Sequence, residues 1–150
     1  MKTIEHATTT PEQTIALAQR FAAVLGEPPL HLHLHGDLGA GKTLWARALI
    51  SALGGGEAQS PSFAWALSYS PPSMPVHHLD LFRLSQGADL PDELLELLQE
   101  DALCLIEWPS RTSLPTADVS ICLDFADNGR RLKFYADSRR GNECLRAFAA

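Results

Sequence analysis

Apolar residues at Ile15, Leu17, Ala18, Phe21, Ala22 and Leu25 recur at helical spacing. Thr10-Pro11-Glu12-Gln13 precedes them with a hydroxyl cap, a proline for the first turn and an acid. The spacing therefore predicts a helix that Gly26 can end and Pro28-Pro29 stops. Leu30 to His35 reads as a strand and Lys42 to Leu53 as a helix closed by Gly54-Gly55-Gly56. Short strands are expected at Thr3 to His6 (an edge), Ala64 to Tyr69 and Val76 to Asp80, and Pro91-Asp92-Glu93 opens a helix through Leu98. Ala102 to Ile106 is a continuous apolar run, the signature of a strand buried on both faces. Val119 to Phe125 and Arg131 to Ala136 flank Asp127-Asn128-Gly129, a strong hairpin signal, and a last helix is expected from about Asn142. Strands alternating with helices and then a hairpin predict an α/β layered fold: a mostly parallel sheet with an antiparallel C-terminal hairpin.

One segment carries chemistry. Gly36-Asp37-Leu38-Gly39-Ala40-Gly41-Lys42-Thr43 satisfies G-x-x-x-x-G-K-[ST] at every fixed position, between a strand and a helix. The glycines let the backbone curl so that its N–H groups surround phosphate oxygens, and the helix directs its positive end at the same anion. Gly36, Gly39, Ala40, Gly41, Lys42 and Thr43 are thus the expected phosphate cradle. Lys42 reaches the β and γ phosphates, and the Thr43 hydroxyl takes a site on Mg²⁺. Such a loop needs an acid at the tip of a neighbouring strand. Asp80 and Glu107 both end expected strands, and Glu107 follows the better one, with five small or apolar residues before it. No [NT]-K-x-D and no D-x-x-G occurs, which favours ATP over GTP. Arg83 and Arg111, just after the two acids, are placed to meet a γ phosphate, although surface arginines are common.

His31, His33 and His35 alternate on the strand before the loop and raise the rival idea of a metal site. Alternate strand residues lie about 6.6 Å apart on one face, so one ion could take two of them but hardly three. No acid or thiol lies near in sequence, and the expectation is packing beneath a helix, partly buried and hydrogen-bonded.

At 150 residues the chain is expected to be one domain, residues 1–150. No run of 18 apolar residues suggests a membrane span, and the N-terminus lacks the apolar stretch of a secretion signal. Cys104, Cys122 and Cys144 have no metal spacing, and a reducing cytoplasm is the natural compartment. The net charge of −6 argues against bulk attraction to nucleic acid. Six of the 12 basic residues, however, lie between Arg130 and Arg146: a solvated hairpin and helix face, or a local docking patch.

The order GDLGAGKT, SPSF at Ser60 to Phe63, HLDLFRL at His78 to Leu84 and LIEWP at Leu105 to Pro109 resembles the TsaE family. The likeness spans roughly residues 10 to 135, with the hairpin carried only by general pattern. It implies a three-layer P-loop NTPase fold and slow, Mg²⁺-dependent hydrolysis of ATP to ADP in tRNA threonylcarbamoyladenosine formation. It also implies two partners: the threonylcarbamoyl transferase subunit (TsaD) and its inactive paralogue (TsaB), with tRNA met indirectly through the complex and no membrane. By resemblance, Lys42, Asp80 and Glu107 are catalytic, and Thr43 and Glu107 serve Mg²⁺. Asp80 sits on the γ-phosphate side, Ser60 to Phe63 form a switch-like loop, Trp108 packs beside the site, and Thr10 approaches the base. Three positions depart from the usual pattern: Ser62 replaces a threonine, Leu44 replaces a second threonine, and Phe82 replaces a tyrosine. A small-molecule kinase and a nucleotide-gated binding module that does not hydrolyse remain alternatives. The kinase usually carries an arginine-bearing lid, and Ser85 to Pro91 holds no arginine.

Overall fold

The computed structural model describes every residue except Ser62 and Phe63. Its strands are β1 (Thr3–Thr8), β2 (Leu30–His35), β3 (Ala66–Tyr69), β4 (Val76–Asp80), β5 (Leu103–Glu107), β6 (Val119–Ala126) and β7 (Gly129–Ala136). Its helices are α1 (Pro11–Ala22), α2 (Lys42–Ala52), α3 (Asp92–Leu98) and α4 (Arg139–Ala149), with a 3-10 turn at Pro109–Arg111. The strands form one sheet in the order β1-β7-β6-β2-β5-β4-β3. The central strands β6, β2, β5 and β4 run parallel. The C-terminal hairpin β6–β7 is antiparallel, and β1 and β3 add an antiparallel edge on either side.

Local chemistry explains the element ends. Thr10 caps α1: its Oγ1 accepts from the Gln13 N–H at 3.2 Å, and the Gln13 side chain accepts from the Thr9 N–H at 2.6 Å. The helix stops at Ala22, short of Gly26. α4 begins at Arg139, three residues ahead of the expected Asn142, because Ser138 caps it by accepting from the Gly141 N–H at 3.0 Å. Ala126 pairs with Gly129, so the hairpin turns through Asp127 and Asn128 alone.

Alternation along the strands divides the core. Leu30, Leu32 and Leu34 join the face packed by α1, α2 and α4, where Phe21, Trp45, Phe134 and Phe148 stack with ring centres 5.1–6.1 Å apart. Leu79, Cys104 and Ile106 on the reverse face pack with Leu81, Leu84 and Leu94 and Leu98 of α3. The histidines of β2 also occupy the reverse face. His33 and His35 lie beneath the segment 109–117 and beside Ser120 and Asp137, not beneath a helix. The expectation of hydrogen-bonded histidines fails in part: among the described residues, His31 Nδ1 and His33 Nε2 are buried with no partner. Burial, with help from the neighbouring histidines, pushes His33 down to about 4. No cluster of three His, Cys, Asp or Glu residues suited to a metal occurs among the described residues. Among them, too, no helix is long and apolar enough to cross a membrane.

Candidate functional site

The loop between β2 and α2 crosses the C-terminal ends of the parallel strands. Gly36, Gly39 and Gly41 have φ of +151°, +79° and +109°, values that L side chains adopt only with strain. At Gly36 the approach is also close, since a Cβ there would meet the Leu123 carbonyl oxygen at 2.5 Å. Gly41 caps α2 without a side chain, which leaves the first-turn N–H groups of that helix facing the loop. Lys42 Nζ donates to the Gly36 and Asp37 carbonyls, the latter at 2.9 Å, and lies 4.4 Å from the centre of the Trp108 ring. Burial pulls the Lys42 ammonium below its ordinary range, against the raising effect of Glu107, Asp80 and Asp37.

The two acids come from neighbouring strands in register, Asp80 beside Glu107. Glu107 is 2% exposed. Its carboxylate accepts the Thr43 hydroxyl at 2.8 and 3.0 Å and lies 2.7 Å from His78 Nε2. Asp80 Oδ1 accepts the Phe82 N–H at 3.0 Å. Burial raises Asp80, the Glu107 charge adds to the rise, and the Phe82 N–H, His78 and Lys42 oppose it. Lys42, Thr43, Asp80, Glu107, Arg83 and Trp108 line one cleft, so the structure brings these together. Arg111 instead stacks on Trp108 and Phe82, 5.2 and 5.4 Å from their ring centres.

Thr10 does not touch that group. It lies in an adjoining cleft with Thr8, Thr9 and Arg130, and the two clefts share Gly39, Gly41 and Leu44 of the loop. Ala40 is fully buried and also lines this second cleft. Of the expected switch-like segment, Ser62 and Phe63 lie outside the described residues.

The donors suit the groups such a loop would hold. Thr43, Asp80 and Glu107 offer a hydroxyl and two carboxylates, an all-oxygen set that fits a hard cation such as Mg²⁺. The left-handed glycines and the open helix end fit an anionic phosphate chain.

Two residues escaped the sequence reading. His78 shares the face of β4 with Asp80, two positions away, and that alternation alone could have marked it. Arg130 was counted only within the basic segment. That segment disperses in the fold: Arg131 pairs with Glu5 at 2.8 Å, Arg139 with Glu143 at 3.4 Å, and Arg140 donates to the Glu27 and Pro29 carbonyls. Arg130 turns to the phosphate loop.

A glycine loop between the second strand and its helix, with paired acids on the adjacent parallel strands, defines the fold of P-loop NTPases. Residues 8–132 match the family model described as "Threonylcarbamoyl adenosine biosynthesis protein TsaE". The protein named "tRNA threonylcarbamoyladenosine biosynthesis protein TsaE" in Haemophilus influenzae is 30% identical over 143 residues, 90% of each chain. The protein of that name in Bacillus subtilis is 32% identical, covering 93% of this chain and 90% of its own. The crystal structure of Bacillus subtilis YdiB superimposes with a TM-score of 0.79 at 26% identity, over 99% of this chain and 95% of that one. The chain belongs to the TsaE family.

Proposed function

We propose that this protein binds ATP with Mg²⁺ and hydrolyses it slowly in the service of tRNA threonylcarbamoyladenosine biosynthesis, acting with the transferase subunit TsaD and its paralogue TsaB. The observation that carries the reading is the Glu107 carboxylate, buried at the foot of the loop and held between the Thr43 hydroxyl and the His78 imidazole.

Lys42 and the loop N–H groups bind and orient the phosphates. Thr43 and Glu107 hold Mg²⁺, which when bound neutralises charge on the phosphate oxygens. Asp80, at the neighbouring strand tip, is placed to orient the attacking water on the γ side. Trp108 and Phe82, with ring centres 5.0 Å apart, form an apolar wall of the cleft. Thr8 to Thr10 wall the opposite end, toward the base.

The test is steady-state ATP hydrolysis with Mg²⁺, alone and with TsaD, TsaB and unmodified tRNA. Slow turnover that rises only in the complex supports the proposal. Fast turnover alone points to a kinase-like enzyme, and binding without turnover under any condition points to a nucleotide-gated module.

A further inference from the structure

Arg130 is the second residue of β7, and both neighbouring strands fix it, with Phe125 opposite on β6 and Thr8 opposite on β1. Its guanidinium lies 4.5 Å from the centre of the Phe125 ring. Three of its five N–H donors are committed to carbonyls: Nε to Ala40 at 3.1 Å, Nη2 to Gly39 at 3.2 Å and Nη1 to Gly129 at 3.0 Å. Two of those carbonyls belong to the crest of the phosphate loop.

A trans peptide points its C=O and the next N–H in opposite directions. Holding the Ala40 carbonyl on the hairpin side therefore turns the Gly41 N–H away from Arg130. Holding the Gly39 carbonyl likewise fixes the Ala40 N–H, which donates to the Asp37 carbonyl at 3.1 Å. Gly39 and Gly41 offer the loop no side chain by which to be held, and their backbones are the freest in the segment. Lys42 restrains the other half through Gly36 and Asp37 with two of its three ammonium donors, which leaves the third for a phosphate. The hold from Arg130 comes from the opposite side and adds to it.

We propose that Arg130 is a positioning residue that presets the Gly41 N–H toward the phosphate and so governs nucleotide affinity from a strand 90 residues further along the chain. The inference rests on the loop being a phosphate site, as proposed above.

The experiment compares wild type with Arg130→Met, Arg130→Lys and a control, Arg131→Met. Calorimetry gives the affinity for ATP and ADP, turnover gives KM and kcat, and the amide resonance of Gly41 is followed without nucleotide. Arg130→Met should weaken both nucleotides about 10- to 100-fold, as two lost charge-assisted hydrogen bonds allow. KM should rise alongside while kcat falls far less, and the Gly41 resonance should move. Arg130→Lys, able to reach one carbonyl but not to fork, should recover part of the affinity. Arg131→Met should match wild type. An Arg130→Met protein that binds nucleotide like wild type, or whose Gly41 resonance is unmoved, overturns the proposal. If that variant does not fold, Arg130→Lys decides by the same two readouts. If wild type binds neither nucleotide, the phosphate-site reading fails instead, and the Gly41 resonance still tells whether Arg130 holds the loop.

Discussion

Glu107→Gln separates the charge of the carboxylate from its shape. The glutamine oxygen can take the place opposite His78 Nε2, now 2.7 Å from the carboxylate, and its NH₂ can donate to the Thr43 oxygen, now at 2.8 Å. The hydroxyl rotates to accept, so no buried group loses its partner. The folding cost is then only the difference between a charge-assisted and a neutral hydrogen bond, about 1 kcal/mol. For a domain of this length that is a fall in Tm of about 2–4 °C. The effect on turnover is larger, because the negative charge that would serve the proposed metal is gone. A loss of about 10²–10³ in kcat corresponds to about 2.7–4 kcal/mol of transition-state stabilisation. Nucleotide affinity, which on the proposed function would rest on the loop and Lys42, should change less than about tenfold, or 1.4 kcal/mol. Phosphate release at saturating Mg-ATP gives kcat, calorimetry gives affinity, and a melting curve gives Tm. A variant that turns over within tenfold of wild type would refute the assignment and move the role to Asp80.

Lys42→Ala should abolish measurable Mg-ATP binding by calorimetry while the melting transition survives. Gly36→Ala should destabilise by about 1–3 kcal/mol, because its Cβ would press 2.5 Å from the Leu123 carbonyl oxygen at a φ of +151°; denaturant titration checks this. His33 is held near 4 in the folded state against 6.5 unfolded, so its contribution to stability is present above pH 6.5 and lost as pH falls toward 4. That contribution reaches about 3 kcal/mol, and His33→Gln should flatten the fall in stability over that window. Burial pushes Cys104 up to about 12 and Cys144 up to about 11, so iodoacetamide near neutral pH should leave both unmodified until denaturant is added, as read by mass spectrometry.

Where the sequence carried strong local signals, the elements were legible. β2, with its alternating Leu and His residues, and β4, ending in Asp80, fall where the pattern put them. The phosphate-loop glycines were legible because their conformations exclude other residues. Helix ends were less so, since a single hydroxyl at Ser138 moved the start of α4. The cover over His33 and His35 was illegible because it comes from an irregular segment with no periodicity. Arg130 shows the largest gap. Other basic residues of its segment meet surface acids or the Glu27 and Pro29 carbonyls, and nothing local marks Arg130 as turned to the loop. Only the pairing of β7 with β1 and β6, a long-range fact, brings it to Gly39 and Ala40.

That same pairing has a consequence for how the chain assembles. β1 is made first, yet its hydrogen-bonding neighbour is β7, with Thr3 opposite Tyr135 and Thr8 opposite Arg130. During synthesis the first strand must wait for almost the whole chain, an open edge in search of a partner. The loop-closure entropy of that pairing is offset only once the hairpin has docked. Thr8 to Thr10 and Arg130, which wall one end of the cleft, therefore come together only once β7 has been made. A nascent or truncated chain lacking the hairpin would carry the whole phosphate-loop sequence without its support. On the proposed reading, nucleotide would then stabilise the finished molecule by mass action more than a chain still lacking the hairpin.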